Sequence, residues 1–325
     1  MKPFAVLRAL VLPFSLLPAL AMASDSALTL KLENDGLASS DDGHFTSGFE
    51  LNWMTTPSEQ NWLQRLAVAL PAGLMGQADR VAYRFVHQIY TPDNIERRSL
   101  IEDDRPYAGL VYGGVSLYED VPVGQWQRAT DLHLDVGLVW PSALADSIQR
   151  EVHRVTNSDR PRGWRHQLGD EALINLTLRR QWWHDTPLAG KQFAHGPSVG
   201  AALGNLYTYA SAGYSVRWGD DAQGIPTLTP NPGTRHLMSE SRGWQWYLFA
   251  SVEGYYMAHN LTLDGNTVRD SHSVDRKEWV ADASTGLALA WEDWQVTYAV
   301  VQRTREFEGQ DEQDVFGAMT LTKRF

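Results

Sequence analysis

The sequence lacks cysteine, an excess of basic residues and any long apolar run beyond its first 23 residues. Without cysteine, the chain has no disulfides, no thiolate metal ligands and no cysteine nucleophile. Its 28 basic residues face 39 acidic ones, and the net charge of −11 argues against a nucleic-acid-binding protein, which needs a basic surface. The longest remaining apolar stretch, residues 63–75, is interrupted by Arg65 and Pro71, so it does not resemble a transmembrane helix.

The chain is rich in apolar and aromatic residues. Hydrophobic residues make up 43% of the sequence, with 13 Trp, 12 Tyr and 10 Phe, which excludes a disordered polyelectrolyte. A length of 325 residues suits either two ordinary domains or one large β-barrel.

The N-terminus has the pattern of an export signal. Two basic residues flank an apolar stretch that ends in a small-x-small cleavage pattern at Ala23. The alternative, a membrane anchor, needs about 20 uninterrupted apolar residues, and Pro18 interrupts this stretch. We therefore predict a signal peptide over residues 1–23 and a mature domain over residues 24–325, which is either soluble outside the cytoplasm or a membrane β-barrel.

Apolar and polar residues alternate along much of the mature chain. In the clearest segment, Leu132, Leu134 and Val136 are separated by His133 and Asp135. Strict alternation over several residues indicates a β-strand. Twelve predicted strands follow from such segments: 27–34, 45–55, 81–91, 107–119, 128–140, 171–184, 195–204, 207–219, 243–257, 279–291, 294–305 and 314–325.

An even number of alternating strands is typical of bacterial outer-membrane barrels. Several of the predicted strands carry Trp or Tyr near one end, where an aromatic girdle lies. The last strand ends on Phe325, which resembles the sorting signal of outer-membrane proteins. We predict an all-β, 12-stranded antiparallel transmembrane β-barrel in a Gram-negative outer membrane. A soluble β-sandwich or a lipocalin-like protein would show the same alternation.

Strand order also orders the loops. If both termini lie in the periplasm, the connection after every odd strand is extracellular. One of these connections, residues 142–156, has apolar residues at helical spacing, which predicts a short helix in an extracellular loop. Two inner turns, 56–80 and 220–242, are longer than periplasmic turns usually are, and either has room for a further strand pair.

Three polar clusters fall on the predicted outer rim: Glu33 to Gly36 with Asp41 to Thr46, Tyr90 to Arg98, and the helix that carries Gln149 and His153. Each has an ordinary reading, because Asn-Asp-Gly and Pro-Asp-Asn form turns and a lone histidine is more often structural. Each cluster nevertheless follows an odd-numbered predicted strand, so all three lie at the same end of the barrel.

Together these residues are sufficient for ester hydrolysis. A histidine such as His153 can remove a proton from water or from a hydroxyl. Carboxylates and amide oxygens without a thiolate suit a hard cation such as Ca²⁺, which polarises a carbonyl. Asn34, Thr46 and Arg97 are able to donate hydrogen bonds to an oxyanion or to an anionic headgroup.

The order of these motifs resembles that of the lipid A 3′-O-deacylases of the outer membrane. The matching segments are E-N-D-G at 33–36, D-x-x-x-x-T-x-G at 41–48, I-Y-T-P at 89–92, D-R-P-Y-A-G at 104–109 and Q-x-x-x-H-R at 149–154. The resemblance implies a calcium-dependent esterase that removes the 3′-linked acyloxyacyl chain of lipid A in the outer leaflet. Its partners would be lipopolysaccharide and membrane lipid, and a monomer is the expected state.

The resemblance also implies roles for individual residues. His153 matches the general base, and Gln149 lies one turn before it. Asn34 belongs to the motif that stabilises the oxyanion, and Thr46 matches a nearby hydroxyl. These four residues are the expected catalytic set.

The expected metal ligands are Asp35 and Asp159, the latter in place of a family glutamate. Arg97 and Arg98 stand where the family has a lysine, and they are the expected substrate-binding residues. Arginine and lysine are not equivalent at a tight site.

Parity adds one expectation about the site. Asn34 continues the face of Leu30 and Leu32, which points toward lipid, so the site would lie on the outside wall under the loop helix. Thr46 falls on the opposite parity from Phe49 and Leu51, so a bulge or the loop must redirect it.

Two other classes of function remain open. A non-enzymatic channel or scaffold barrel would explain Asp131, His133, Asp135 and Asn175 as a polar interior. A phospholipase-like barrel would use Ser47 or another serine as nucleophile.

Overall fold

The computed structural model describes residues 25–38, 44–71, 73–139, 145–156, 158–220, 226–233, 235 and 243–325. The predicted signal peptide, residues 1–23, lies outside the described residues. The described residues are mostly β-strand, with a few short helices. Within the described part of the chain, no helix has the length and apolar character needed to cross a membrane.

The strands are β1 (Ser26–Asn34), β2 (His44–Thr55), β3 (Arg80–Thr91), β4 (Ala108–Val123), β5 (Trp126–Val139), β6 (Glu171–Leu188), β7 (Lys191–Gly204), β8 (Tyr207–Gly219), β9 (Trp244–Asn260), β10 (Trp279–Trp291), β11 (Trp294–Arg303) and β12 (Asp314–Arg324). The helices are α1 (Trp62–Ala69), α2 (Ala145–Thr156) and α3 (Leu261–Asp264), and 3₁₀ turns span Asp35–Leu37 and Trp164–His166.

Each strand pairs antiparallel with its neighbours in the chain, and β1 pairs with β12 to close the sheet. The closing seam runs from Ala27 opposite Arg324 to Asn34 opposite Gly317. A closed sheet leaves no edge strand with unpaired backbone groups. The predicted twelve-stranded antiparallel barrel is therefore confirmed, and a two-sheet sandwich is excluded.

The two faces of the wall differ as the alternation predicts. On β5, Leu134 and Val136 are 37% and 56% exposed on the outside, whereas His133 and Asp135 are buried in the interior. Ile174 on the neighbouring strand β6 is 59% exposed. Apolar side chains left exposed on the outside of a barrel form the surface that lipid covers.

Two hairpins at the inner end are longer than the sequence pattern predicts. The strand pair β4 and β5 continues to a turn at residues 124–125, and the pair β6 and β7 continues to residues 189–190. Gly124 and Gly190 have φ angles of 63° and 75°, which only glycine adopts readily. Tight two-residue hairpin turns use such positive φ angles. With these turns, the paired strands continue past the point where apolar alternation ends.

The long inner connection predicted at 56–80 holds α1 and, among its described residues, no strand before β3 begins at Arg80. The side chain of Asn61 caps α1 by accepting a hydrogen bond from the backbone N–H of Leu63 at 2.8 Å. Leu63 and Ala67 are fully buried against a cluster that includes Val81 and other wall residues. The extra length therefore packs on the barrel near its inner rim instead of forming a strand pair.

The other long inner connection, residues 220–242, enters the barrel. Its described residues, 226–233 and 235, contain no strand, and we call them the plug. Thr229 donates its backbone N–H and its hydroxyl to the two carboxylate oxygens of Glu33, at 3.0 and 2.8 Å. Arg235 donates to the Asp131 carboxylate at 2.7 Å.

Other polar wall residues also hold the plug. Tyr209 donates its hydroxyl to the Asn231 side-chain oxygen at 2.8 Å, and Asn231 donates to the Tyr255 hydroxyl at 3.0 Å. Lys31 donates to the carbonyl of Thr227 at 3.3 Å. Polar side chains on several strands therefore form hydrogen bonds with the described plug residues, which accounts for the polar inner face of these strands.

The extracellular loops are tied together at the opposite end. Arg105 is fully buried and donates to Thr262 at 2.9 Å and to Glu306 at 3.4 Å, so it joins three loops. His272 forms a hydrogen bond to the carbonyl of Asp104 at 2.7 Å. These bonds give the outer rim a fixed shape, which positions the polar clusters predicted there.

Candidate active site

The site begins at an irregularity in β2. The register between β2 and β3 shifts between His44 and Ser47, which is the signature of a β-bulge. Phe45 joins the buried interior cluster, where its ring lies 5.2 Å from that of Tyr90. The hydroxyl of Thr46 instead forms a 2.7 Å hydrogen bond with that of Thr91. The bulge expected from parity is therefore present.

Asn34 and Asp35 lie beside this bulge, where β1 ends. The amide of Asn34 donates a hydrogen bond to the Thr46 carbonyl. Asp35 begins a 3₁₀ turn, is 6% exposed and accepts a hydrogen bond from the backbone N–H of Gly36 at 2.6 Å. A Cβ atom at Gly36 would lie 2.9 Å from the Asn34 side-chain oxygen, so glycine allows the amide to fold over the turn.

Helix α2 packs against β3 and β4. Its first residue, Ala145, is buried in a cluster with Ile89, Tyr107 and Trp164. Neighbouring strands lie about 4.8 Å apart, so β1, which carries Asn34, lies two strands, or roughly 10 Å, from β3 along the wall. The helix and the Asn34 turn are therefore at nearby strands of the barrel.

Gln149 is held on the buried side of α2. Its side-chain oxygen accepts a hydrogen bond from the indole N–H of Trp164 at 2.8 Å, and Gln149 is only 2% exposed. Trp164 is fixed in turn by Tyr107, whose ring centroid lies 5.0 Å away. The Gln149 amide nitrogen is buried and has no hydrogen-bond partner within the described part of the chain.

His153 lies one turn further along α2 and is 6% exposed. Its Nδ1 atom forms a hydrogen bond with the backbone carbonyl of Asp159. Because a carbonyl can only accept, a neutral imidazole bonded in this way carries its proton on Nδ1. The Nε2 atom is then the proton acceptor.

The remaining predicted site residues occupy different places. Arg97 donates to the Ser99 hydroxyl at 3.0 Å and lines an open basin together with Asp35. Arg98 lines a separate groove beside α2. Asp159 is exposed, and the contact that it makes with His153 comes from its backbone carbonyl. Arg97 and Arg98 are adjacent in the sequence but line different surfaces.

The donor atoms around Asp35 are those that calcium prefers. No group of three or more His, Asp or Glu side chains suited to a metal occurs within the described ranges. Calcium also accepts amide and backbone carbonyl oxygens, and Asn34 places its amide oxygen over the Asp35 turn. The basin beside Asp35 contains further acids, including Asp93 and Asp103. The residues present fit a hard cation in chemistry, with Asp35 as the central carboxylate.

Sequence reasoning missed two residues of this arrangement. Thr91 belongs to a predicted cluster but was given no role, although its pairing opposite the start of β2 places it beside Thr46. Trp164 lies in a loop without hydrophobic periodicity, so no pattern signals its bond to Gln149. Both support predicted site residues from neighbouring elements.

These features define a class of protein. A closed β-barrel with an exposed apolar outer face, a hydrogen-bonded plug inside and a loop helix packed against β3 and β4 is a membrane β-barrel.

The particular family follows from a comparison of sequences. A family model described as Outer membrane protein LpxR matches residues 6–325. The chain belongs to the LpxR family and is an outer-membrane protein. In general terms this membership assigns it to lipid A modification.

A solved structure of an LpxR protein shares the fold. LpxR from Salmonella typhimurium matches with a TM-score of 0.75 at 19% identity, covering 92% of this chain and 100% of that chain. The beta domain of the Bordetella autotransporter BrkA matches with a TM-score of 0.43 at 8% identity, covering 92% of this chain and 97% of that chain. No curated protein matches the sequence.

Proposed function

We propose that this protein is a calcium-dependent carboxylic ester hydrolase that removes the 3′-linked acyloxyacyl chain of lipid A in the outer leaflet. The observation that carries the proposal is the buried imidazole of His153, which is bonded through Nδ1 to a carbonyl and lies on a helix over the outside wall. Family membership and the predicted motifs support the substrate class.

In the proposed reaction, His153 is the general base. The Asp159 carbonyl holds the imidazole in the tautomer that carries its proton on Nδ1, so Nε2 is the basic nitrogen. Nε2 takes that proton from an attacking water and later returns it to the leaving alkoxide of the sugar. Burial of the ring keeps its orientation fixed, and general-base catalysis of this kind contributes about 10²- to 10⁴-fold in rate.

Two amides are available to stabilise the tetrahedral oxyanion. The buried nitrogen of Gln149 has an N–H without a partner in the described part of the chain, and a buried donor of this kind is effective at a developing negative charge. Asn34 is positioned by its bond to the Thr46 carbonyl. Thr46 is itself fixed by Thr91, so it holds the rim in place.

Asp35 would hold calcium, with the amide oxygen of Asn34 beside it. When bound, the ion would supply positive charge that polarises the ester carbonyl. We assign Asp159 to the orientation of His153 through its carbonyl, and its carboxylate stays a candidate second ligand. Arg97 is the candidate contact for an anionic group of the substrate, since it lines the same basin as Asp35.

The proposal is tested by the mass of lipid A in membranes that carry the wild-type protein or His153→Gln. The variant should lose at least about 100-fold in deacylation rate. His184→Gln is a matched control. The Nδ1 atom of His184 also forms a hydrogen bond with a backbone carbonyl, that of Gln125, at 3.0 Å, but His184 lies at the inner end of the wall. Full activity of His153→Gln would refute the assignment.

Two further arms separate the alternatives. Chelation with EGTA should abolish the activity of the purified wild-type protein, and added calcium should restore it. Ser47→Ala should stay active and should form no acyl-enzyme, whereas a trapped acyl-enzyme would establish the serine route. A channel is the weakest alternative, because the described plug residues bond across the interior.

A further inference from the structure

Helix α2 borders a groove on the side away from the barrel wall. This arginine groove has a volume of about 740 Å³ and is lined by Arg98, Arg150, Glu151, Arg154, Arg160 and Arg162, together with a serine and a proline. Five arginines around one groove are notable in a chain whose net charge is −11. Neither His153 nor Gln149 lines the groove, and Asn34, Asp35 and Thr46 do not line it either.

Acidic partners neutralise only part of this charge. Arg150 pairs with Asp146 and Arg154 pairs with Glu151, both along the exposed surface of α2. Arg162 lies 4.0 Å from Glu96. These are exposed pairs of the kind that contribute little to stability.

Arg98 and Arg160 make no ion pair with any residue in the described ranges, and both are exposed. The groove therefore has two guanidinium groups in excess. Arginine binds phosphate through two parallel hydrogen bonds, so such a pair selects a phosphate monoester over a neutral headgroup.

The same helix exposes apolar residues. Ile148 and Val152, one turn apart, are 41% and 51% exposed on α2. A helix with apolar side chains next to arginines is suited to the boundary between acyl chains and headgroups. Because α2 lies on the outside wall near the outer rim, the groove is at the depth of the outer-leaflet headgroups.

We propose that the arginine groove binds the phosphate-bearing sugar headgroup of a glycolipid in the outer leaflet, at a second lipid site separate from the site of hydrolysis. Arg98 and Arg160 contact the phosphate, and Ile148 and Val152 contact the acyl chains. The occupied groove holds α2 at the membrane surface. The proposal goes beyond hydrolysis, and it rests on the proposed function only for the first of the two lipids that the test counts.

The test uses the full mature protein in zwitterionic detergent, with His153→Ala so that lipid is not consumed. Native mass spectrometry counts bound lipid during titration with phosphorylated lipid A and with dephosphorylated lipid A. The phosphorylated form should bind at two sites per chain, and the dephosphorylated form at one. The double variant Arg98→Gln/Arg160→Gln should bind the second lipid roughly thirtyfold more weakly, because each basic side chain at a lipid surface contributes about fivefold.

Arg65→Gln is the matched control, because Arg65 is an exposed helical arginine on α1, near the inner rim. It should leave both lipids bound. The heat-dependent electrophoretic mobility of the barrel checks that every variant is folded. A second lipid that persists in the double variant, a single bound lipid in the parent protein, or equal binding of dephosphorylated lipid A would overturn the proposal.

An arm with inorganic phosphate distinguishes a lipid site from a site for free anions. Millimolar phosphate should displace little of the second lipid, because the acyl chains add contacts with Ile148 and Val152. Complete displacement would mean that the groove binds free phosphate and would overturn lipid docking. Loss of deacylation by His153→Gln is scored separately, so the two proposals fail independently.

Discussion

Replacing Trp164 with Phe tests how strongly α2 depends on one hydrogen bond. The indole of Trp164 donates to the Gln149 oxygen at 2.8 Å, and both side chains are buried. Phenylalanine keeps most of the ring packing against Tyr107 but leaves the Gln149 oxygen without its donor. An unsatisfied buried polar group costs about 1–3 kcal/mol, and the amide will reorient to reduce that cost. If Gln149 stabilises the oxyanion, kcat for lipid A deacylation should fall by about tenfold to hundredfold.

The assay is deacylation by purified Trp164→Phe protein in micelles, with heat-dependent electrophoretic mobility as the check on folding. Trp279→Phe is the control, because Trp279 is 72% exposed on the wall and should tolerate the change. Gln149→Leu and the double variant complete a thermodynamic cycle. The double variant should be no slower than Gln149→Leu alone, because both changes remove one function. Additive losses, or wild-type activity of Trp164→Phe, would refute the reasoning.

Three further predictions concern the rim, the plug and a loop. Thr91→Val removes the 2.7 Å bond to Thr46 and should lower the deacylation rate about fivefold with the fold intact; unchanged kinetics would contradict it. Thr229→Val takes the hydroxyl bond from buried Glu33 and should lower the free energy of unfolding in urea by about 1–3 kcal/mol. Burial raises the pKa of Asp264, but hydrogen bonds from a histidine and a backbone N–H, with a nearby arginine, hold it below 3.8. The stability that this lowered pKa adds is present above about pH 4 and is lost as the pH falls through the pKa of the folded state. In limited proteolysis, Asp264→Asn should therefore be less protected than wild type near pH 7 and equally protected in strong acid.

Much of the barrel is predictable because each strand carries its own signal. Leu134 and Val136 alternate with polar residues, and this pattern can be recognised without knowing the other segments of the chain. Every predicted strand has a counterpart in the structure. The bulge near Thr46 was also predictable, since parity conflicts with Phe49 on the same strand. The predicted strands on both sides of Gly124 were too short, because the paired strands β4 and β5 continue beyond the part with alternating apolar residues.

The rest depends on contacts between distant segments. The plug has no periodicity, and its position comes from bonds such as that between Thr229 and Glu33, which are far apart in the sequence. Similarly, Arg97 and Arg98 are adjacent in the chain, but local loop geometry sends them to different surfaces. The residue types predicted the chemistry of the outer rim. Which of these side chains contact one another depends on the fold and could not be predicted from the sequence.

The position of Asn34 and Thr46 on the outside wall sets how a reactant reaches them. A molecule that is anchored in the leaflet arrives by lateral diffusion in two dimensions, so its supply depends on its mole fraction among the surrounding amphiphiles. Diluting an assay with empty micelles should therefore slow turnover, whereas diluting it with buffer at a fixed ratio of protein to amphiphile should not.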